Sequence, residues 1–160
     1  MLGLAVSDNK LSWPLEAGYP TPKVDVRGIV ISEDKVLLVK EISSGYWTLP
    51  GGWADVNSTP AGNVERECWE ESGYQVKARI LTSVVEKEAA GHPIEQFTCY
   101  KLYFLCDLIG GEAKTSIESG EVKWFPLTEL PELDPARSAA VEVHRAREFL
   151  KNFNQVTHFN

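Results

Sequence analysis

The stretch GGWADVNSTPAGNVERECWEESGY, residues 51–74, crowds four glutamates into seven positions beside one arginine and between glycine-marked ends. Its punctuation is that of a helix. Thr59 is a side-chain cap, Pro60 suits the first helical position, and Gly73 stops the helix where a left-handed residue is wanted. At about 100° per residue, Ala61, Val64 and Cys68 form a narrow apolar stripe that should face a sheet. Glu67 and Glu71, four apart, lie together beside the stripe, Glu70 lies about 60° further toward solvent, and Glu65 falls on the opposite flank.

Two carboxylates at i and i+4 on a packed edge repel each other and are partly desolvated, so they are costly without a cation. A hard divalent ion reverses the sign of that cost. Magnesium or manganese prefers oxygen ligands, keeps some waters, and is commonly shared with substrate phosphates. Glu67, Glu71 and Glu70 are the candidate ligands. The alternative is a solvated acidic face laced by salt bridges such as Arg66 with Glu70, the usual fate of a charge run.

The rest of the chain supplies a sheet. VDVRGIVIS alternates, turns at Ser32-Glu33-Asp34, and is followed by KVLLVKEI, which predicts two neighbouring antiparallel strands. YQVKARILTSVVEKE and QFTCYKLYFLCDL, joined by the polar loop AAGHPIEQ, predict a second antiparallel pair. Gly110-Gly111 then turns the chain, and EVKWFPL adds a short strand. A second helix follows, with Ala139, Val143, Ala146, Phe149 and Leu150 at helical spacing. This order predicts an α/β fold with a mixed central β-sheet between two helices. Residues 1–22 are expected to form an irregular N-terminal arm with one helical turn, docked through Trp13 and Leu15 or loose. Residues 23–160 are expected to form the single domain that 160 residues allow.

Composition narrows the function. A hydrophobic share of 43% with 24% charged residues is that of a globular chain. No apolar run approaches a membrane span and the start lacks a secretory signal, so a cytoplasmic location without membrane contact is expected. Cys68, Cys99 and Cys106 are odd in number and lack CxxC spacing, and are expected to be reduced and packed. Sixteen basic against 23 acidic residues give a net charge of −7, which argues against a stable nucleic-acid partner. A small anionic substrate stays compatible, because bound metal ions invert the local field.

Gly52 to Tyr74 resembles the Nudix box, whose pattern is G, five residues, E, seven residues, then REUxEExGU with U apolar or aromatic. Gly52, Arg66, Glu67, Cys68, Glu70, Glu71, Gly73 and Tyr74 stand in register. The six Gly, Arg and Glu matches arise by chance on the order of 10⁻⁵ in a chain this long. Ser58 replaces the family's first glutamate, which helps hold the arginine, and Asp55 is the candidate to take over that task. A looser similarity, through WTLPGG and the strand order, runs from about Lys23 to Leu130.

The resemblance implies a Nudix hydrolase of the MutT-like superfamily, an α/β/α sandwich that uses Mg²⁺ or Mn²⁺ to cleave the pyrophosphate joining a nucleoside to another moiety. Carried over by position, Glu67 and Glu71 are metal ligands, Glu70 is a ligand or a supporting carboxylate, Arg66 orients them, and the Gly51 carbonyl is a further ligand. The family often draws an additional glutamate from a loop after the sheet. SIESGEVKWF offers Glu118 first and Glu121 second, solvated hairpin residues being the alternative.

The variant GGWADVN resembles a subgroup acting on ADP-ribose or on nucleotide diphosphate alcohols such as CDP-choline. Those proteins often carry a helical N-terminal domain, for which residues 1–22 leave no room. Trp53 and Tyr46 flank the glycine loop as candidate base contacts, packing being the alternative, and Trp47 is assigned to the core. Asp25 and Arg27 share one face of the first strand, where Arg27 is a candidate phosphate contact or half of a surface ion pair. Asp55 and Glu121 complete the candidate substrate-binding set, and His92 is read as a polar loop residue. ADP-ribose is the favoured substrate. The alternatives are a sanitising nucleoside triphosphate pyrophosphohydrolase and a nucleotide-sensing module without turnover. A homodimer is open, since small members of the family are often dimers.

Overall fold

A computed structural model describes residues 6–7, 10–11, 18–152 and 154–160. Within the arm, β1 (Val6–Ser7) and β2 (Lys10–Leu11) pair antiparallel, where irregular chain was expected. Trp13 and Leu15 lie outside the described residues.

The first long strand, β3 (Lys23–Ser32), turns through Glu33 and Asp34, both at positive φ, into β4 (Lys35–Glu41). The predicted antiparallel pair forms, but its ladder is confined to Ile31↔Val36 and Ser32↔Lys35. Beyond that point the strands take different neighbours. β3 pairs with β6 (Gly51–Trp53) and runs parallel to β8 (Cys99–Gly111), whereas β4 pairs with β5 (Trp47–Thr48) and β9 (Ser119–Pro126). β8 pairs antiparallel with β7 (Tyr74–Glu86), and β10 (His158–Phe159) adds a parallel edge to β7. The mixed sheet of eight strands therefore divides into two wings joined at the β3–β4 turn.

Strict alternation along the central strands builds a core on each face. Val26, Val30, Leu37, Phe104 and Cys106 meet Val64 and Cys68 of α1 (Pro60–Ser72). Ile29, Val36, Leu38, Tyr103 and Leu105 meet Val143, Ala146 and Phe149 of α2 (Ala140–Lys151). Each of the fully buried Val and Leu side chains contributes about 1.5–3 kcal/mol. The three cysteines are free and buried, as expected. No helix among the described residues is long and apolar enough to cross a membrane.

The caps of α1 follow the sequence. Thr59 Oγ1 accepts from the Gly62 N–H at 3.0 Å, and Gly73, at φ 77°, donates its N–H to the Trp69 carbonyl. What sets the height of α1 over the sheet is Gly28, because a Cβ there would lie 2.4 Å from Cys68 Sγ and 3.2 Å from Val64 Cγ2. Gly28→Ala is therefore expected to destabilise the fold by about 1–3 kcal/mol, read as a lower urea midpoint, and Cys68→Ala in the same chain should recover much of the loss. An unchanged midpoint in Gly28→Ala would show that this contact does not set the spacing.

Candidate active site

A cleft of about 730 Å³ opens where the β3–β6 ladder meets the C-terminal half of α1. Its floor comes from strand parity. Asp25 and Arg27 share the face of Ile29 on β3, and Lys101 and Tyr103 share that of Leu105 on β8, with Asp25↔Lys101 and Arg27↔Tyr103 in register. Arg27 donates from Nε and Nη2 to the two Asp25 oxygens at 3.0 and 2.8 Å, and from Nη1 to the Leu49 carbonyl at 3.1 Å. Lys101 Nζ donates to the same Asp25 carboxylate. All three side chains are almost wholly buried. Burial favours the neutral form of Asp25, yet Arg27 and Lys101 together outweigh it and hold the carboxyl below its usual range. Two cations on one carboxylate leave this floor with one positive charge in excess.

The carboxylates stand over the glycine loop. Glu71 is 5% exposed, and its Oε2 accepts the Gly51 N–H at 2.9 Å. Burial pushes its carboxyl up to about 7, against the opposing pull of the Gly51 N–H and Arg27, and Glu67 and Glu41 raise it further. Glu67 lies against Gly52, where an added Cβ would come within 3.1 Å of its Oε2, and burial likewise raises its carboxyl. Gly51 admits no other residue: at φ 149° a Cβ would lie 2.0 Å from the Val26 carbonyl oxygen.

Arg66 ties the cluster together. Its guanidinium reaches Asp55 at 2.8 Å, Glu67 at 3.1 Å and Glu70 at 3.2 Å, and donates to Asn63 Oδ1 at 3.2 Å. Asp55 thus stands beside Arg66 in a chain that has Ser58 at the box's first acidic position. The buried Asn63 also accepts the Asp55 N–H at 3.1 Å, which fastens the loop to the helix. The Arg66–Glu70 pair expected of a solvated acidic face is present as well, exposed and worth under about 1 kcal/mol.

Of the residues singled out in the sequence, Arg27, Gly51, Trp53, Asp55, Arg66, Glu67, Glu70, Glu71 and Glu118 line the cleft, and Tyr46 and Glu121 do not. Glu121 faces Lys40 across the β4–β9 ladder and bonds Lys40 at 3.0 Å and Lys123 at 2.8 Å. Tyr46 closes the turn between β4 and β5, its carbonyl accepting the Glu41 N–H. Arg27 is a buried member of the floor rather than half of a surface pair. His92 is buried too, its Nδ1 bonded to the Pro135 carbonyl at 2.6 Å. Trp47 is part-buried and meets Phe125 edge-on. Trp53, at the rim, meets Phe97 edge-on at 5.7 Å with Lys23 near both rings.

Lys87, Glu95, Lys101 and Arg137 also line the cleft and were not picked out from the sequence. A signal existed for Lys101, a charge at an inward parity of an apolar strand. Lys87, Glu95 and Arg137 sit in or beside loops without a motif.

The donor set fits a hard dication. Among the described residues no three His, Cys, Asp or Glu side chains already converge as a closed cage. Magnesium asks for less, since one or two carboxylates with water and substrate oxygens complete its shell. Glu67 and Glu71, crowded and raised in pKa, are the pair that a cation relieves, with Glu70 and the Gly51 carbonyl next in line.

The fold and the acidic helix over a double glycine define the class. The chain belongs to the NUDIX domain family, whose model matches residues 21–147, and it is a Nudix hydrolase. It is 37% identical over 148 residues, 92% of this chain and 71% of the other, to the Bacillus subtilis (strain 168) protein named "Putative ADP-ribose pyrophosphatase YjhB". It is 34% identical over 121 residues, 72% of this chain and 68% of the other, to the ADP-ribose pyrophosphatase of Methanocaldococcus jannaschii. The crystal structure of an ADP-ribose pyrophosphatase from Streptococcus suis 89-1591 superposes with a TM-score of 0.79 at 34% identity, covering 88% of this chain and all of that one. Nudix hydrolases generally need divalent metal ions and act on small nucleotide diphosphate substrates.

The Glu71 carboxyl sets a stability term of known sign. Between its usual 4.5 and about 7 the unfolded chain has released a proton that the folded chain keeps, so stability falls as pH rises through that window. The gap corresponds to about 3 kcal/mol. In chelator, Glu71→Gln should therefore be nearly as stable as the wild type at pH 4 and more stable at pH 8. Urea midpoints that run parallel across the range would contradict the burial of an ionisable Glu71.

Proposed function

We propose that this chain hydrolyses the pyrophosphate bond of ADP-ribose, using Mg²⁺ or Mn²⁺ held by Glu67 and Glu71 with Glu70 and the Gly51 carbonyl. The observation that carries the proposal is the pair of buried-edge carboxylates over Gly51-Gly52, one bonded to the Gly51 N–H at 2.9 Å. The names of the relatives above support ADP-ribose as the substrate.

A divalent ion there supplies Lewis acidity toward the diphosphate oxygens and the attacking water. The protein's own groups do the rest. Arg66, shared among Asp55, Glu67 and Glu70, fixes the carboxylates before substrate arrives. The excess positive charge of the Asp25–Arg27–Lys101 floor favours the diphosphate in a site walled by carboxylates. Trp53 offers a half-exposed ring face at the rim to the base. Glu118, exposed on the opposite lip, accepts the proton of the water that attacks phosphorus, and the P–O bond of the anhydride breaks to release AMP and ribose 5-phosphate.

Incubation of the protein with ADP-ribose and Mg²⁺ or Mn²⁺ should yield AMP and ribose 5-phosphate by chromatography, and excess chelator should stop it. Glu67→Gln and Glu71→Gln should each lower kcat at least about a hundredfold. Release of inorganic pyrophosphate and a monophosphate from nucleoside triphosphates, with ADP-ribose inert, would point to the sanitising alternative. Nucleotide binding without any turnover would point to the sensor.

A further inference from the structure

The hydroxyl groups of the two serines flanking Ile117 and Glu118 have hydrogen bonds that account for each donor and lone pair they carry. Ser119 is 2% exposed, and its hydroxyl donates to the Glu71 carbonyl at 2.6 Å. That carbonyl lies in the last turn of α1, where no backbone N–H of the helix remains to meet it. Because the Ser119 proton is committed there, the 3.0 Å contact between the two hydroxyls must be donated by Ser116. Ser119 Oγ also accepts the Ser116 N–H at 3.0 Å. Ser116 Oγ in turn accepts the N–H groups of Glu118 at 3.1 Å and of Ser119 at 3.0 Å. One unbroken relay thus runs from the Glu118 N–H through two hydroxyls to the Glu71 carbonyl. On its other side, the Glu118 carbonyl accepts the Ile42 N–H at 3.0 Å. The Glu118 backbone is fixed from both directions while its side chain stays exposed at the lip of the cleft.

We propose that Ser116 and Ser119 are positioning residues, a hydroxyl latch that registers the Glu118 carboxylate against the α1 carboxylates across the cleft. The proposal rests on the hydrolase reading above and on Glu118 as the group that takes the proton. Without the latch, the loop keeps one bond to α1, from the Lys114 N–H to the Ser72 carbonyl, and is otherwise held to the β4 side by the Ile42 N–H and the β4–β9 ladder. An error of about 1 Å in a proton acceptor costs on the order of a hundredfold in rate.

The test measures turnover and amide exchange in Ser116→Ala, Ser119→Ala, Glu118→Gln and the Ser119→Ala/Glu118→Gln double variant. Ser119→Ala should lower kcat by between about tenfold and a hundredfold with KM little changed, and most of that loss should vanish in the Glu118→Gln background. The Glu118 and Ser119 amides should exchange about tenfold faster in Ser116→Ala. If buried Ser119→Ala fails to fold, the half-exposed Ser116→Ala carries the same kinetic comparison. A Ser119→Ala loss that persists undiminished beside Glu118→Gln would overturn the positioning role, as would wild-type turnover in Glu118→Gln. A wild type without turnover on any diphosphate conjugate sinks the hydrolase reading instead, and the exchange experiment then decides the latch by itself, unchanged protection in Ser116→Ala overturning it.

Discussion

The hydrogen bond from the Gly51 N–H to the Glu71 carboxyl is the contact on which the rest of the site depends. It joins the double-glycine loop to the acidic helix, and it does so in a buried place where an ionised carboxylate is expensive. Position 51 takes only glycine because a Cβ there would collide with the Val26 carbonyl, and Glu71 reaches it because Gly28 lets α1 sit close on β3. The same residue anchors the far lip of the cleft through its own backbone carbonyl and Ser119. One helical position therefore connects floor, loop and lip.

The divided sheet explains how a cleft of this size forms in a chain this short. β3 and β4 share only the two residue pairs beside their turn, so the two wings diverge and the α2-facing row of β3 and β8 runs on past the helix. There the apolar pattern gives way to Asp25, Arg27 and Lys101. Burial of one carboxylate with two cations is stable only as a bonded set, and removing one partner from such a buried set costs about 3–5 kcal/mol. The floor is thus both a structural keystone and a source of positive potential facing an acidic wall.

Local spacing made the helix legible in the sequence. Thr59, Pro60 and Gly73 fixed its ends, and the i, i+4 relation of Glu67 and Glu71 fixed which carboxylates stand together. Those features depend on residues a few positions apart, as do the strands. The parts that sequence reasoning missed depend on contacts between segments far apart in the chain. Lys101 meets Asp25 across 76 positions, and Ser119 meets Glu71 across 48. Glu121 is close to Glu118 in the chain, but it lies inside β9, where the β4 partner Lys40 claims it. Tyr46 was judged by nearness to Gly51-Gly52, whereas the β4–β5 turn carries it away from the cleft.

The central claim is that Glu67 and Glu71 together grip a dication. Electron paramagnetic resonance of free Mn²⁺ during titration tests this without any turnover. The account predicts that the wild-type protein, with AMP present, depletes the free Mn²⁺ signal, and that Glu67→Gln/Glu71→Gln leaves it at the buffer level. A wild type that takes up no Mn²⁺, or a double variant that binds it equally well, would contradict the account.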